Sequence, residues 1–438
     1  MRRVKSFFGG IFPNDGKQST SGTPIRILSA PEQLVVPLLQ HVGVEAKPLV
    51  AKGDEVLKGQ LIAEAGGTVS APVHSPVSGK VVAIEPRRNA SGRTITSIVI
   101  ENDGEERWAD KETHHDPIQL DAKTILERVR KAGIVGMGGA GFPTALKLTP
   151  PKGVTVDYLI INGCECEPYL TADHRLMVEC PEDIILGAKL MAKVAGARNI
   201  IIGVEDNKPD AIAALKAKAG AIKVVSLSTK YPQGGEKQVI QALTGREVPS
   251  LGLPFQAGVI VQNVGTAWAV AKALRDGEPL ISRVVTVTGT PIKEPQNFLV
   301  PIGTTLGDLV EAAGGFSQTP EKIVVGGPMM GGAQFDLDTP ISKTSSGVLA
   351  FAEGESRTPD SMPCIKCARC VDVCPANLLP LKLEAFGMNE QWDNAREYGA
   401  LDCIECGCCT YICPSKRPLL HYIRFAKSEI VAKETKSR

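Results

Sequence analysis

Two short cysteine runs near the C-terminus carry the clearest chemistry in this sequence of 438 residues. Each reads C-x2-C-x2-C-x3-C-P, a spacing typical of segments that bind a [4Fe–4S] cluster. The first run contains Cys364, Cys367, Cys370 and Cys374, and the second contains Cys403, Cys406, Cys409 and Cys413. One run alone could arise by chance or bind zinc, but two tandem copies, each closed by a proline, argue against both. The sequence therefore predicts two [4Fe–4S] clusters.

The ligands of these clusters are expected to cross between the runs, because the fourth cysteine of each run binds the other cluster where two such motifs occur together. One cluster should be held by Cys364, Cys367, Cys370 and Cys413, and the other by Cys403, Cys406, Cys409 and Cys374. Cys408 lies off the ligand spacing and is a weaker alternative ligand. Cys164 and Cys166, two residues apart, leave a redox or metal role open.

The composition bounds the class of protein. The chain is 43% hydrophobic and 22% charged, which fits globular domains, and its length predicts about three of them. The net charge is +1 and no dense basic run occurs, so nothing indicates a nucleic-acid surface. Eight of the twelve cysteines belong to the cluster motifs, which argues for a reducing compartment. No apolar run reaches the roughly 18 residues of a membrane span.

Residues 121–275 contain the elements that would position a second cofactor. The predicted strands are Val156–Ile161, Asn199–Val204 and Ile222–Leu227, and the predicted helices are Asp183–Val194, Pro209–Ala219 and Glu236–Leu243. This alternation indicates a parallel sheet of Rossmann-like type covered by helices. Ligands of such sheets lie beyond the C-terminal ends of the strands. Two strand ends, NGCECEPY at 162–169 and YPQGGE at 231–236, carry the glycine, aromatic and acidic residues of a nucleotide site.

A glycine-rich loop, GMGGAGFPT at 136–144, comes before this sheet. Its small residues allow the backbone to approach a ligand closely. Pro143 suits the first turn of a following helix, and a loop that enters a helix N-terminus is suited to anions. Alone the loop is a weak signal, because many such loops are only tight turns.

The flanking regions complete a multidomain α/β chain. Residues 1–24 form a tail, either ordered or frayed in itself or docked on a membrane partner. Residues 25–120 contain short strands, among them Val42–Val50, in phrases that resemble the biotinyl/lipoyl-like β-sandwich, and end in a linker. The turn Ala71–Pro76 lacks the lysine of carrier domains, so a structural module is expected. A β-grasp domain of SLBB type at 276–350, a ferredoxin-like helical domain with two [4Fe–4S] clusters at 351–425 and a polar tail at 426–438 follow.

Four motifs in this order resemble those of the flavoprotein subunit of respiratory complex I. They are GMGGAGFPTALK, NGCECEPYLTADHR, YPQGGEKQVIQALTGREVP and VQNVGT. That family has one cluster and no N-terminal sandwich. The chain as a whole, over nearly all of residues 1–425, resembles the C subunits of the Rnf (or Rsx) complexes, which are membrane ion-translocating ferredoxin:NAD oxidoreductases.

The resemblance implies a site for FMN and NAD(H). It places the FMN and nucleotide phosphates against a loop formed by Gly136, Gly138, Gly139 and Gly141. It makes Lys147, Asn162 and Glu165 flavin contacts, and it sets Phe142 and Glu167 near the nicotinamide. It also assigns binding roles to Tyr231, Glu236, Asn263 and Thr266. Cys164 stands where the complex I family has an acidic residue, and Gly235 replaces a glutamate. No catalytic acid or base is expected, because the flavin carries the hydride transfer.

The resemblance implies an NAD(H)-linked oxidoreductase subunit that exchanges a hydride between NAD(H) and FMN and passes single electrons through the two clusters. Its implied partners are a ferredoxin-type cluster subunit and integral membrane subunits, on the cytoplasmic face of the cell membrane. The alternative is an iron–sulfur adaptor that has lost its flavin, which the departures at Cys164 and Gly235 would favour. The intact glycine loop, Lys147, Asn162 and Asn263 favour the first interpretation.

Overall fold

The computed structural model describes residues 5–356 and 360–436. The N-terminal strands are β1 Arg26–Ile27, β2 Gln33–Pro37, β3 Lys47–Pro48, β4 Glu55–Val56, β5 Leu61–Glu64, β6 Val73–His74, β7 Gly79–Arg88 and β8 Thr94–Asn102. One antiparallel sheet has the order β2-β8-β7-β4 and the other β3-β5-β6. Buried aliphatic side chains such as Leu34, Ile62 and Ile98 fill the space between them. Within the predicted strand Val42–Val50 only Lys47–Pro48 forms a strand, β3, and Val42 and Val44 are exposed.

The turn Ala71–Pro76 is largely buried instead of projecting as a carrier turn would. The carbonyl oxygen of Pro72 accepts a hydrogen bond of 2.8 Å from the buried Lys343 Nζ. His74 lies in β6, and burial lowers its pKa to about 3. This turn is therefore part of an interface with the rest of the chain.

The central domain is the predicted parallel α/β unit. After a 3-10 turn at Pro117–Gln119, its elements are α1 Ala122–Lys131, α2 Thr144–Lys147, β9 Tyr158–Gly163, α3 Ala172–Glu179, α4 Pro181–Ala195, β10 Asn199–Glu205, α5 Pro209–Lys218, β11 Lys223–Leu227, α6 Glu236–Thr244, a 3-10 turn at Pro254–Ala257, β12 Val259–Asn263 and α7 Val264–Arg275. The strand order is β11-β10-β9-β12, all parallel. Helices α1, α3, α4, α5 and α7 contribute to the core on one face, and α6 covers the other. Helix α3 was not predicted.

Close packing in this core depends on one glycine. A Cβ on Gly187 of α4 would lie 1.8 Å from the carbonyl oxygen of Ala267 in α7. The two helices therefore touch through their backbones.

The β-grasp region contains β13 Ser282–Thr288, β14 Gln296–Pro301, α8 Leu306–Ala312, β15 Lys322–Val325, β16 Gly332–Gln334 and β17 Gly347–Phe351. Its mixed sheet has the order β1-β14-β13-β17-β15-β16. Arg26 and Ile27 pair in parallel with Phe298 and Leu299, so β1 belongs to this sheet and not to the predicted sandwich. The edge strand β14 offers the unpaired backbone groups that β1 satisfies.

The cluster domain is helical, as predicted. Its elements are α9 Arg369–Asp372, α10 Pro380–Met388, α11 Trp392–Glu397, a 3-10 turn at Ala400–Asp402, α12 Cys408–Ile412 and α13 Leu419–Lys436. Residues 426–436 of the predicted polar tail are helical, because α13 continues through them. Leu419, Ile423, Ala426 and Ile430 recur at helical spacing and are buried in the domain core. Residues 357–359, 437 and 438 of these predicted regions lie outside the described residues.

The predicted N-terminal tail is also ordered from residue 5 onward. Phe7 and Ile11 are buried, and Ile11 pairs with Tyr231 of the central domain. Residues 1–4 lie outside the described residues. Of the helices in the described ranges, none combines the length and apolar character needed to cross a membrane.

Candidate flavin site and cluster domain

The glycine loop is closed at its base and open at its tip. Gly136 N donates to Phe142 O at 2.9 Å, and Val135 pairs with Pro143. Gly138 and Gly139 are exposed, and a Cβ on Gly139 would have no atom within 4 Å. A flat ligand can therefore approach this backbone. The following helix, α2, has a single turn with Pro143 at its N-cap, so the predicted anion site gains little from a helix dipole.

The loop is fixed against the end of β12 and the start of α7. Met137 N donates to Thr266 Oγ1 at 3.0 Å, and a Cβ on Gly138 would lie 2.9 Å from the Asn263 side chain. Asn263 caps α7 by accepting from Gly265 N, and its amide donates to Asp173 Oδ2 at 2.6 Å. The structure thus brings Gly138, Asn263 and Thr266 together, as the motifs predicted.

Asn162 and Glu165 organise the turn after β9. Asn162 Nδ2 donates to Gly234 O at 2.8 Å, which ties this strand end to the loop after β11. The Glu165 carboxylate accepts from Asp173 N at 2.7 Å and His174 N at 3.0 Å, so it caps the start of α3. Both residues hold the shape of the turn.

Glu167 faces the β-grasp region. Its carboxylate accepts from Met329 N at 3.0 Å and Met330 N at 2.9 Å. Burial raises its pKa to about 7. This carboxylate is already bound by backbone amides, so its role in the structure is to join two domains.

A charged pair lies at the rim of the site. Lys147 Nζ is 2.6 Å from Glu236 Oε1, and both side chains are partly exposed. Phe142, at the end of the glycine loop, is 40% exposed. These side chains are accessible to a ligand, whereas Tyr231 is buried and Glu167 is already bound by backbone amides.

The two departures from the complex I pattern have structural explanations. Cys164 is fully buried in the core beneath α6, where its neighbours are aliphatic. Gly235 caps α6, and a Cβ there would lie 2.4 Å from Gln238 Oε1. Neither position projects a side chain toward a ligand.

Two cavities in the cluster domain contain the predicted sets of cysteines. The lining of one includes Cys364, Cys367, Cys370 and Cys413. The lining of the other includes Cys374, Cys403, Cys406 and Cys409, together with the extra thiol of Cys408. Each cavity takes its fourth predicted ligand from the other run, so the arrangement fits the crossed pairing of two clusters.

The backbone repeats between the runs. Left-handed φ values occur at equivalent positions: 56° at Lys366 and 58° at Glu405, 58° at Ala368 and 79° at Gly407, and 52° at Asn377 and 51° at Lys416. Backbone amides donate to sulfur in the same way, from Lys366 to Cys364 and from Glu405 to Cys403, each at 3.4 Å. Such conformations persist where the surroundings hold them and mark functional segments.

The second run lies next to the turn after β9, residues 164–170, which we call the flavin turn. Cys406 and Cys408 share an apolar cluster with Ile11 and Tyr231, against which Cys166 also packs. Tyr231 is 1% exposed, and burial raises the pKa of its phenol. The predicted ligand-binding tyrosine therefore forms the wall between the α/β domain and the cluster domain.

Family models match the four regions in turn. An RnfC barrel sandwich hybrid domain matches residues 5–105, the Nuo51 FMN-binding domain matches 129–272, an SLBB domain matches 284–332 and a 4Fe-4S dicluster domain matches 363–417. The predicted fold classes and the predicted cofactors, FMN and two [4Fe–4S] clusters, are thereby confirmed. The FMN-binding match also favours the flavin-containing interpretation over the flavin-free adaptor.

Curated relatives align over almost the whole chain. The C subunit of a proton-translocating ferredoxin:NAD(+) oxidoreductase complex from Clostridium ljungdahlii is 48% identical over 97% of this chain and 94% of the relative. The C subunit of the Na(+)-translocating complex from Acetobacterium woodii is 46% identical over 98% of each. This chain belongs to the family of Rnf C subunits. The C subunit of an ion-translocating oxidoreductase complex from Pectobacterium atrosepticum is 45% identical over 98% of the chain, which spans 63% of that longer family member.

Among solved structures, a chain of an NAD+-reducing [NiFe]-hydrogenase in the H2-reduced state has a TM-score of 0.50 and 22% identity. The match covers 73% of this chain and 62% of that one and shows a shared fold. Family membership makes other Rnf subunits the partners of this chain within a membrane-associated complex.

Three residues of this Rnf-family site were missed in the sequence. Asp173 lies within the quoted motif NGCECEPYLTADHR, and burial and the nearby Glu165 raise its pKa. Lys17 and Lys208 are buried lysines that contact the flavin turn from distant parts of the chain. No local pattern marks either lysine, because their significance arises only from the tertiary contacts.

Proposed function

We propose that this chain exchanges electrons between NAD(H) and the two clusters through FMN bound at the open face of the glycine loop. When bound, FMN supplies a centre that exchanges a hydride with NAD(H) and single electrons with iron–sulfur clusters. Gly138 and Gly139 offer an accessible backbone, and Lys147 and Glu236 line the rim. Asn162, Glu165, Asn263 and Thr266 hold the loops that surround it.

One observation carries this proposal: the second cysteine run packs directly on the turn at the predicted flavin site. Cys406 and Cys408 lie in one apolar cluster with Tyr231, and Cys166 of the turn packs against it. A hydrogen bond of 3.1 Å from Gln238 Nε2 to Pro375 O adds a second link between the domains. The cluster domain is thus in direct contact with the domain that would hold the flavin.

The contacts also suggest an order for the two clusters. Cys374, Cys403, Cys406 and Cys409 would hold the inner cluster, beside the flavin turn. Cys364, Cys367, Cys370 and Cys413 would hold the outer one, because Cys364 and Cys367 are exposed. Met362 and Ile365, which are 53% and 67% exposed, add an apolar surface around the outer site.

We further propose that this outer surface docks a ferredoxin-type cluster subunit and that the chain binds integral membrane subunits on the cytoplasmic face. Supporting this, the matched relatives are named as subunits of ion-translocating complexes. An exposed cluster site with apolar side chains around it is suited to contact with another electron carrier.

Anaerobic absorption spectroscopy of the reconstituted chain tests the function. FMN and NADH are added in turn, and the flavin band and the cluster absorption are followed. We expect bound FMN to be bleached by NADH, with the clusters reduced afterwards. A chain that binds no FMN, or whose flavin NADH leaves oxidised, would contradict the proposal.

Gly139→Val provides a specific disruption of the loop. A Cβ at Gly139 would meet no protein atom within 4 Å, so we expect the variant to fold while its side chain blocks the approach of FMN. Gly22→Val is the matched control, because Gly22 is also exposed and has open space around it. We expect FMN affinity to fall at least tenfold in Gly139→Val and to stay unchanged in Gly22→Val. Equal FMN affinity in the two variants would argue against the glycine loop as the flavin site.

A further inference from the structure

The N-terminal segment, residues 5–24, lies across the C-terminal edge of the parallel sheet. Ile11 exchanges two backbone hydrogen bonds with Tyr231, at 2.8 and 2.9 Å. Farther along, Tyr169 N donates to Asp15 O at 2.6 Å. The segment is thus bound to both strand ends that surround the proposed flavin site.

Lys17 binds the flavin turn from within this segment. Its side chain is buried, with only 6% of the residue exposed. Its Nζ donates to the carbonyl oxygens of Glu165 and Glu167, at 2.9 Å each, and to that of Leu170. These three acceptors use all the protons of the ammonium group.

The turn that Lys17 binds has an unfavourable backbone conformation. Glu165 has a φ of 47° and Tyr169 a φ of 68°, values that residues with a side chain rarely adopt. Such a conformation persists only where its surroundings hold it. A single cation that binds three carbonyl oxygens of one turn provides such a constraint.

A second buried lysine completes the contact. Lys208 Nζ donates to Cys164 O at 2.7 Å and lies 3.3 Å from Glu205 Oε2. Two ammonium groups therefore bind four carbonyl oxygens of the turn. Lys17 binds those of Glu165, Glu167 and Leu170, and Lys208 binds that of Cys164. The Glu205 carboxylate, 1% exposed, balances part of this positive charge.

We propose that Lys17 is a positioning residue that holds the turn 164–170 in the shape required to bind FMN. The inference rests on the proposed function, since it concerns the same site. Through this turn, Lys17 fixes Glu165, whose carboxylate caps α3 and places Asp173 beside Asn263. On this account the N-terminal segment supports the flavin site through Lys17 and is not a free docking tail.

Lys17→Met tests the role of the ammonium group, because methionine keeps an unbranched apolar stem. The full chain is reconstituted with its clusters, and FMN affinity is measured by quenching of flavin fluorescence. We expect FMN affinity to fall at least tenfold and the midpoint potential of bound FMN to become more negative, because a nearby positive charge is lost. Amide hydrogen exchange in residues 163–171 should become faster in the absence of FMN, while the iron content stays that of the wild type.

Lys5→Met is the matched control. Lys5 belongs to the same segment but donates to a single carbonyl oxygen, that of Leu243 at 3.1 Å, outside the turn. Its FMN affinity should stay within twofold of the wild type. If Lys17→Met folds and retains wild-type FMN affinity, flavin potential and exchange in the turn, the inference is overturned.

Two further outcomes remain decisive. If Lys17→Met does not fold, Lys17→Gln, which keeps an amide donor, is measured in the same way, and wild-type values there would again overturn the inference. If the wild-type chain itself binds no FMN, the proposed function fails. If the wild type binds FMN and the Lys17 variant binds it equally well, only the inference about Lys17 fails.

Discussion

The two cysteine runs share a backbone but lie in different surroundings. Residues 39 positions apart in the sequence are equivalent, so Ile365 of the first run corresponds to Ile404 of the second, and Arg369 to Cys408. Ile365 is 67% exposed, whereas Ile404 packs on the cluster that contains Tyr231. Arg369 is exposed, and Cys408 is fully buried.

This difference shows how one ligand pattern can provide an inner and an outer electron site. The spacing of the cysteines fixes the loop geometry, including the repeated left-handed residues. The residues between the cysteines determine what each site contacts. In the second run Ile404 and Cys408 meet Tyr231 of the α/β domain, and in the first run the equivalent Ile365 and Arg369 are exposed and available to another protein of the complex.

The largest effect should come from breaking the crossed ligation. Although Cys374 lies in the first run, it lines the cavity of the second. Cys374→Ser should therefore remove the inner cluster and lower the iron content from about eight to about four per chain. FMN binding and flavin reduction by NADH should remain, while onward electron transfer is lost. Iron analysis, electron paramagnetic resonance and an artificial acceptor assay measure these outcomes.

Double variants identify which cluster has been lost. Adding Cys406→Ala to Cys374→Ser should remove no further iron, whereas adding Cys367→Ala should remove the rest. The reverse pattern would show that each run binds its own cluster. Cys180→Ser, outside both cavities, is the control and should keep the full iron content.

A pair of equivalent substitutions tests the inner and outer assignment. Ile404→Asp places a charge among the apolar side chains around Tyr231 and should lower the free energy of unfolding by about 2 kcal/mol or more. Ile365→Asp lies on the exposed surface and should change it by less than about 0.5 kcal/mol. Anaerobic denaturation of both variants measures the difference. Equal destabilisation would remove the distinction between the two runs.

Measurement of electron transfer in the same two variants distinguishes a loss of partner docking from a loss of stability. Ile365→Asp should leave flavin reduction by NADH unchanged and slow transfer to a ferredoxin-type partner subunit. If the transfer rate is unaffected, the outer apolar surface is not the docking site.

The sequence predicted those features that depend on local patterns. Cysteine spacing led to both ligand sets, and the alternation of strands and helices led to the parallel sheet with Asn162 and Asn263 side by side. Features that depend on tertiary contacts were missed. Strand β1 joins a sheet whose other strands begin more than 250 residues later, and the buried residues of α13 from Ile423 onward are separated by charged ones.

The site was predicted as a set of motifs, but the role of each residue was not. Glu165 and Glu167 occupy one short turn, yet one carboxylate caps α3 and the other binds backbone amides of the β-grasp region. Their partners come from separate parts of the chain. The contribution of Lys17 is likewise invisible until the N-terminal segment is placed on the turn.

A pH dependence should distinguish the inner side of the molecule from the outer. Burial raises the pKa of Glu167 from its ordinary 4.5 to about 7, so folding favours its protonated form. Its stabilising contribution is therefore complete below about pH 4.5 and is lost as the pH rises through about 7, with an upper limit of about 3 kcal/mol. The protection factors of the Met329 and Met330 amides, in which the intrinsic pH dependence of exchange is removed, should fall between pH 5 and pH 8. Met329 lies beside Gly407 of the second run.

Glu167→Gln removes the titrating group and should remove most of this pH dependence. Hydrogen exchange in the first cysteine run provides the internal control. Identical pH profiles of Met329 and Met330 in the wild type and the variant would show that Glu167 does not couple this contact to pH.

The smallest effect is expected at Cys408, which has no cysteine counterpart in the first run. It lines the inner cavity, but its sulfur lies off the ligand spacing and is 3.8 Å from Tyr231 O, a weak contact. Cys408→Ala should retain all the iron and lower the free energy of unfolding by about 1 kcal/mol, because a small buried side chain loses its packing. Arg369→Ala, at the equivalent exposed position, should cost less than about 0.5 kcal/mol. Loss of about four irons in Cys408→Ala would instead make Cys408 a ligand of the inner cluster.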